Sequence, residues 1–177
     1  MERALGSDKN RGFTLVELIV VILIVAIISG GTTVGFTVIN NNNVKSAAER
    51  LTLTLGKTRQ EAINRVDGSV WMKLYQDTEG TYYSSIIFRD GSVEKVLSIR
   101  KIGGSLLKLS VKKNDESIVY INTVASMNPA IITASEVLFH FKKSTGGIQE
   151  PFKDIYIEGS ETKDIILIQE TGRCFIN

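Results

Sequence analysis

The spacing of hydrophobic positions changes twice along the chain, and each change marks a different kind of element. Phe13 to Ile28 reads FTLVELIVVILIVAII, apolar on every side with one charge, Glu17. A helix without a polar face belongs in lipid or a protein interior. Eleven apolar residues in a block, Leu18 to Ile28, are unusual for a core helix. Ser29 to Phe36 softens the run with Gly30, Gly31, Thr32, Thr33 and Gly35. Phe13 to Phe36 is 24 residues. As a helix that is about 36 Å long, enough to cross a bilayer core of about 30 Å with some tilt. The pattern predicts a transmembrane helix over residues 13–36.

From Val44 the pattern turns amphipathic. Val44, Ala47, Ala48, Leu51, Leu55, Ala62, Ile63 and Val66 recur at spacings that place them on one helical face. Lys45 with Glu49, Lys57 with Glu61, and Glu61 with Arg65 are i,i+4 pairs on the other side. An amphipathic helix over residues 37–66, covering a sheet, is expected. Asn40 to Asn43 joins the two parts as a helical junction or a short break, since Asn is a poor helix former. Unbroken, Phe13 to Val66 would be about 80 Å long. Such a stem cannot be buried in a globule of this size; it suits a subunit packed among others in a filament.

After Asp67-Gly68 the helical period disappears, and residues 67–177 read as an antiparallel β domain. Ser69–Gln76, Thr81–Arg89, Ser92–Arg100, Ser105–Lys113, Ser117–Thr123, Glu136–Lys142, Ile155–Glu158 and Lys163–Glu170 are the expected strands. Asp90-Gly91 is a hairpin signal. Short strands at this spacing form a sandwich-like or rolled sheet. The fold class is α+β: a long N-terminal helix on an antiparallel sheet domain.

Composition narrows the function. Of 177 residues, 43% are hydrophobic and 23% charged, which excludes disorder as the main state. The net charge of +2 does not indicate a strongly basic nucleic-acid binder. One Cys and one His leave no intrachain disulfide and no Cys- or His-rich metal set. The two prolines are Pro129 and Pro151, so nothing forbids a long helix near the N-terminus. Arg3, Lys9 and Arg11 precede the apolar run and place the N-terminus in the cytoplasm, with the β domain outside. A secretory signal would end in a small-residue cleavage site, which does not follow here. Glu17 is a functional candidate because an ionisable group in a membrane helix is costly; near the helix end it could also snorkel or be protonated.

Arg11-Gly12-Phe13-Thr14-Leu15-Val16-Glu17-Leu18-Ile19 resembles the type IV prepilin family: a polar leader ending in Gly, then Phe-Thr-Leu-x-Glu, then an apolar run. The resemblance implies that residues 1–12 are a leader, cut between Gly12 and Phe13 by a prepilin peptidase. It also implies methylation of the new amine on Phe13, and an assembly role for Glu17. Glu17 lies one helical turn from that amine and on the same face. In lipid the two charges attract strongly, within one chain or between neighbours. Ala47-Ala48-Glu49-Arg50-Leu51 through Arg65, and the ending Ile165–Ile168 then Thr171-Gly172-Arg173, are similar to the GspH/FimT-type minor pseudopilins. That likeness implies a pilin fold and a closing hairpin. Phe175 stands where many relatives carry a second basic residue, and the Pro common in pilin membrane segments is lacking.

No enzyme is expected: no nucleophile, base and orienting group can be assembled, and no cofactor or metal is called for. His140 reads as a surface histidine and Cys174 as a small buried hydrophobe. The reading is a minor pilin or pseudopilin of a type IV pilus or type II secretion system, in the inner membrane and then in a filament. Its partners would be prepilin peptidase, other pilins, an inner-membrane assembly platform and membrane lipid. The alternative is a competence pilin that binds DNA through Arg173, Lys142 and Lys143.

Overall fold

The computed structural model describes residues 13–121 and 136–177, with the side chains of 30–42 excepted. One helix, α1, covers Leu15–Asn64 and includes Asn40–Asn43. The chain divides into two units, Met1–Val38 and Ile39–Asn177.

In the first unit, Thr14 ends the non-helical lead-in. Its hydroxyl accepts a hydrogen bond from the Glu17 backbone N–H at 3.2 Å, and its carbonyl accepts the Leu18 N–H. This is an N-cap, and Thr-x-x-Glu is the capping-box spelling. Every large apolar side chain from Phe13 to Ile28 is exposed. No helix of the described residues is long and apolar enough to cross a membrane. The part of the expected span over residues 30–36 lies outside the described side chains.

In the second unit α1 enters the core. Val44, Ala47, Ala48, Leu51, Leu55 and Ala62 are buried in one apolar cluster with residues of both sheets. Two expected members are not there: Ile63 is 40% exposed and Val66 is 89% exposed. The helix stops at Asn64, so Val66 lies in the following turn and the apolar period no longer applies to it. Thr54 and Thr58 are buried instead. Their hydroxyls donate to the carbonyls of Arg50 and Thr54 at 2.8 and 2.7 Å, so each presents its methyl to the core without an orphaned polar atom. Of the expected charge pairs, Glu61–Arg65 forms at 3.1 Å. Lys45–Glu49 and Lys57–Glu61 are not among the ion pairs of the described residues. Past the helix Gly68 turns the chain at φ 68°, where a Cβ would strike the Arg89 carbonyl.

Among the described residues nine strands follow: β1 Ser69–Gln76, β2 Tyr82–Asp90, β3 Val93–Gly103, β4 Lys108–Lys113, β5 Ile118–Tyr120, β6 Val137–His140, β7 Phe152–Glu158, β8 Thr162–Ile168 and β9 Arg173–Ile176. They form two antiparallel sheets, β3-β2-β1-β6 and β5-β4-β7-β8-β9. Most boundaries fall within a few residues of expectation. Ser105–Leu107 is a turn rather than strand, closed by Leu107 N–H to the Gly104 carbonyl. Residues 122–123 of the expected fifth strand are outside the described residues. β9 was not among the eight expected strands; it pairs with β8 as Ile166↔Phe175 and Leu167↔Cys174. The Cys174 thiol donates to the Thr52 carbonyl at 3.8 Å and ties this hairpin to α1.

The sheets treat their outer faces differently. The four-stranded sheet buries both along β1, where Met72 and Leu74 enter the cluster and Trp71, Lys73 and Tyr75 on the other side are also buried, while its edge strand β3 leaves Ile99 53% exposed. The five-stranded sheet buries Leu109, Val111, Ile155, Ile157, Ile165 and Leu167 inward. On its opposite face Ile118, Tyr120, Ile166, Ile168 and Phe175 remain exposed.

Candidate assembly site

Gly12 lies outside the described residues, and Phe13 is 82% exposed. Glu17 sits in the first turn of α1, three residues past the Thr14 cap. A carboxylate there is stabilised by the helix dipole, by roughly 0.3–1 kcal/mol when exposed. The residue that resemblance assigns to assembly is therefore also a good helix-start residue. The Thr-x-x-Glu spelling is readable in the sequence, at the head of the apolar run. Beyond Glu17 the exposed side chains of Leu18 to Ile28 offer no other charge. Chemically, this end presents one acid a turn from Phe13 at the start of an apolar stretch.

The second predicted set is only partly assembled. Lys142 and Arg173 are exposed. Lys143 is occupied, its ammonium donating to the Val66 carbonyl at 3.0 Å. Two glycines bring the loop after β6 against the closing hairpin. A Cβ on Gly147 would meet the Gln169 and Glu170 carbonyls, and one on Gly172 (φ 64°) would meet the Gly146 carbonyl. Arg59 of α1 donates to the Thr171 carbonyl at 2.6 Å and holds the hairpin tip.

Two polar features were not legible in the sequence. Lys73 on β1 pairs with Glu136 at 2.5 Å, both side chains almost wholly buried, and its ammonium lies 5.3 Å from the Tyr75 ring. Burial pushes the Tyr75 hydroxyl pKa above the usual range, helped by Tyr83, Glu136 and Asp77 nearby. Glu150 holds His140 twice, accepting its backbone N–H at 2.8 Å and contacting its ring Nδ1, while the ring lies against Trp71. Among the described residues no cluster of His, Cys, Asp or Glu is arranged to hold a metal.

An acid at the start of an exposed apolar stretch belongs to one unit of the chain, and an α+β fold with two antiparallel sheets to the other. Residues 7–33 match the family model described as the prokaryotic N-terminal methylation motif. The N-terminal segment is thus similar to that of the type IV prepilins and pseudopilins, which supports a type IV pilin-like protein processed by prepilin peptidase. Neither curated proteins nor solved structures yield a match to the chain.

Proposed function

We propose that the chain is a minor pilin or pseudopilin, most like the GspH/FimT type, that assembles with other pilins into a type IV pilus or a type II secretion pseudopilus. Residues 1–12 are the leader, 13–36 the membrane helix, 37–66 the amphipathic helix and 67–177 the β domain. The N-terminus faces the cytoplasm and the β domain lies outside. The observation that carries the reading is Glu17 at the capped start of α1, one turn from Phe13 and followed by the uncharged apolar stretch Leu18 to Ile28. Peptidase cleavage after Gly12 turns Phe13 into a free amine, and methylation leaves it cationic. Glu17 then pairs with that amine, its own or a neighbour's, and the pairing sets the register of a subunit in the filament. The assembly platform supplies the work, and lipid stores the subunit before use.

Replacing Gly12 by a bulky residue is expected to block the cut, so that mass spectrometry finds the leader retained. Glu17→Gln keeps the side-chain shape and the helix start while removing the charge. Cleavage and the fold of the Ile39–Asn177 unit should be unchanged. Incorporation into filaments should fall at least about tenfold, the equivalent of losing about 1.4 kcal/mol. Normal incorporation of Glu17→Gln at native expression would overturn the reading.

One observation favours the DNA-binding alternative: the loop carrying Lys142 abuts the hairpin that carries Arg173. Lys143 keeps its charge and stays exposed while bonded to the Val66 carbonyl, so Lys142, Lys143 and Arg173 all carry positive charge there. Contact of all three with phosphates would give a log–log salt slope of about −3. Tight, steeply salt-dependent duplex binding would favour that alternative over filament structure alone.

A further inference from the structure

Among the described residues the outer face of the five-stranded sheet is left open, and it has a largely buried acid at its centre. The strand registers run one row across all five strands: Ile118, Lys112, Asp154, Ile166, Phe175. Ile118, Ile166 and Phe175 are 48%, 40% and 53% exposed, whereas Asp154 is only 8% exposed. Asp154 makes no side-chain hydrogen bond or ion pair among the described residues. Two lysines flank it, but both are engaged elsewhere. Glu116, in the turn between β4 and β5 at φ 67°, pairs with Lys112 and with Lys153, the latter at 3.1 Å. Asp164, diagonal to Asp154 on the same face, adds negative charge, and its carboxylate accepts only from the Asn177 amide, at 3.3 Å. Burial holds the Asp154 carboxyl above its usual range, Lys153 and Lys112 oppose that from a distance, and Asp164 and Glu116 reinforce it.

A carboxylate that is 8% exposed and has no direct ion pair among the described residues is costly, and here it lies among exposed aliphatic and aromatic side chains. We propose that this face docks a partner protein that inserts one Arg or Lys between apolar side chains, the cation pairing with Asp154 and the apolar rim closing over Ile118, Ile166, Ile168 and Phe175. Charge complementarity selects this occupant. A metal ion would need several more oxygen ligands than Asp154 and Asp164 provide. Five strands about 4.8 Å apart make a flat surface about 20 Å wide, the scale of a protein contact rather than a small-molecule pocket. A second copy docking by the same face would oppose its Asp154 to this one, so self-pairing is disfavoured. Arg173, on the same face beside Ile168, biases the partner further: its basic group must approach from the β4–β7 side.

The test places a photo-crosslinking benzoylphenylalanine at Phe175 in the full chain, in the membrane of a host that makes its partners. The adduct is mapped by mass spectrometry. The expected adduct is to a protein, at a peptide carrying Arg or Lys. Its yield should fall at least about tenfold in Asp154→Asn and be retained in Asp154→Glu. Asp154→Asn should itself melt no lower than the parent, which separates lost docking from lost folding. Reversing the mapped basic residue to Glu should recover the adduct of Asp154→Lys. No adduct, an adduct only to lipid or nucleic acid, a symmetric adduct between two copies, or a yield indifferent to Asp154→Asn would each overturn the proposal.

Discussion

A chain starting at Val44 is expected to be soluble and to unfold in one cooperative transition, whereas one starting after Arg65 should aggregate or fail to fold. The first has about 134 residues, enough for a substantial single core. It keeps Val44, Ala47, Ala48, Leu51 and Leu55, which are at most 1% exposed in the shared cluster. It also keeps the ties from Arg59 to the hairpin tip and from Cys174 to Thr52. The second loses all of these. Uncovering Leu51 and Leu55 alone forfeits about 1.5–3 kcal/mol each, before the cost of the sheet surface they leave bare. Domains of this size have roughly 5–15 kcal/mol in total. Thermal melts of the two chains decide the matter: a short chain that melts as high and as cooperatively as the long one would remove α1 from the core.

Lys73→Met is expected to be nearly as damaging, although it makes the chain more apolar. It takes the Lys73 ammonium from the Glu136 carboxylate in a site where that side chain has no solvent exposure. Removing one partner of a buried ion pair costs about 3–5 kcal/mol, which for a chain of this length lowers the melting temperature by about 10 °C or more. Lys73→Met with Glu136→Leu should recover much of that loss, because replacing both charges removes the desolvation penalty with the attraction. A single variant that melts with the parent, or a double variant as unstable as the single, would contradict the assignment.

How much of this was readable in advance depended on how local each determinant is. The helix face from Val44 to Ala62 was legible because small and branched apolar residues mark a period that nothing interrupts. Thr54 and Thr58 escaped because a hydroxyl counts as polar in a pattern, yet it is satisfied within its own helix by the carbonyl four residues back. Val66 was misplaced because periodicity does not say where a helix ends, and Ile63, one residue before that end, is 40% exposed. β1 matched its expected bounds, but the burial of both its faces was invisible, since that depends on partners far along the chain. The Lys73–Glu136 pair joins residues 63 positions apart, and Asp154 is isolated only because a turn on another strand draws its lysines away. At the N-terminus the family motif was legible in full. Its geometry added one feature, the cap at Thr14.

That cap has a consequence for proteolysis. A peptidase needs a locally extended backbone across the bond it cuts, and a helix growing toward the N-terminus from an apolar segment would wind that bond out of reach. Thr14 ends the winding on the product side of the expected scissile bond, leaving Phe13 non-helical. The same hydroxyl remains after the cut, so the new N-terminus begins life on a helix already closed off. On the proposed cleavage after Gly12, the site thus carries its own stop signal, and the cut need not melt any of α1.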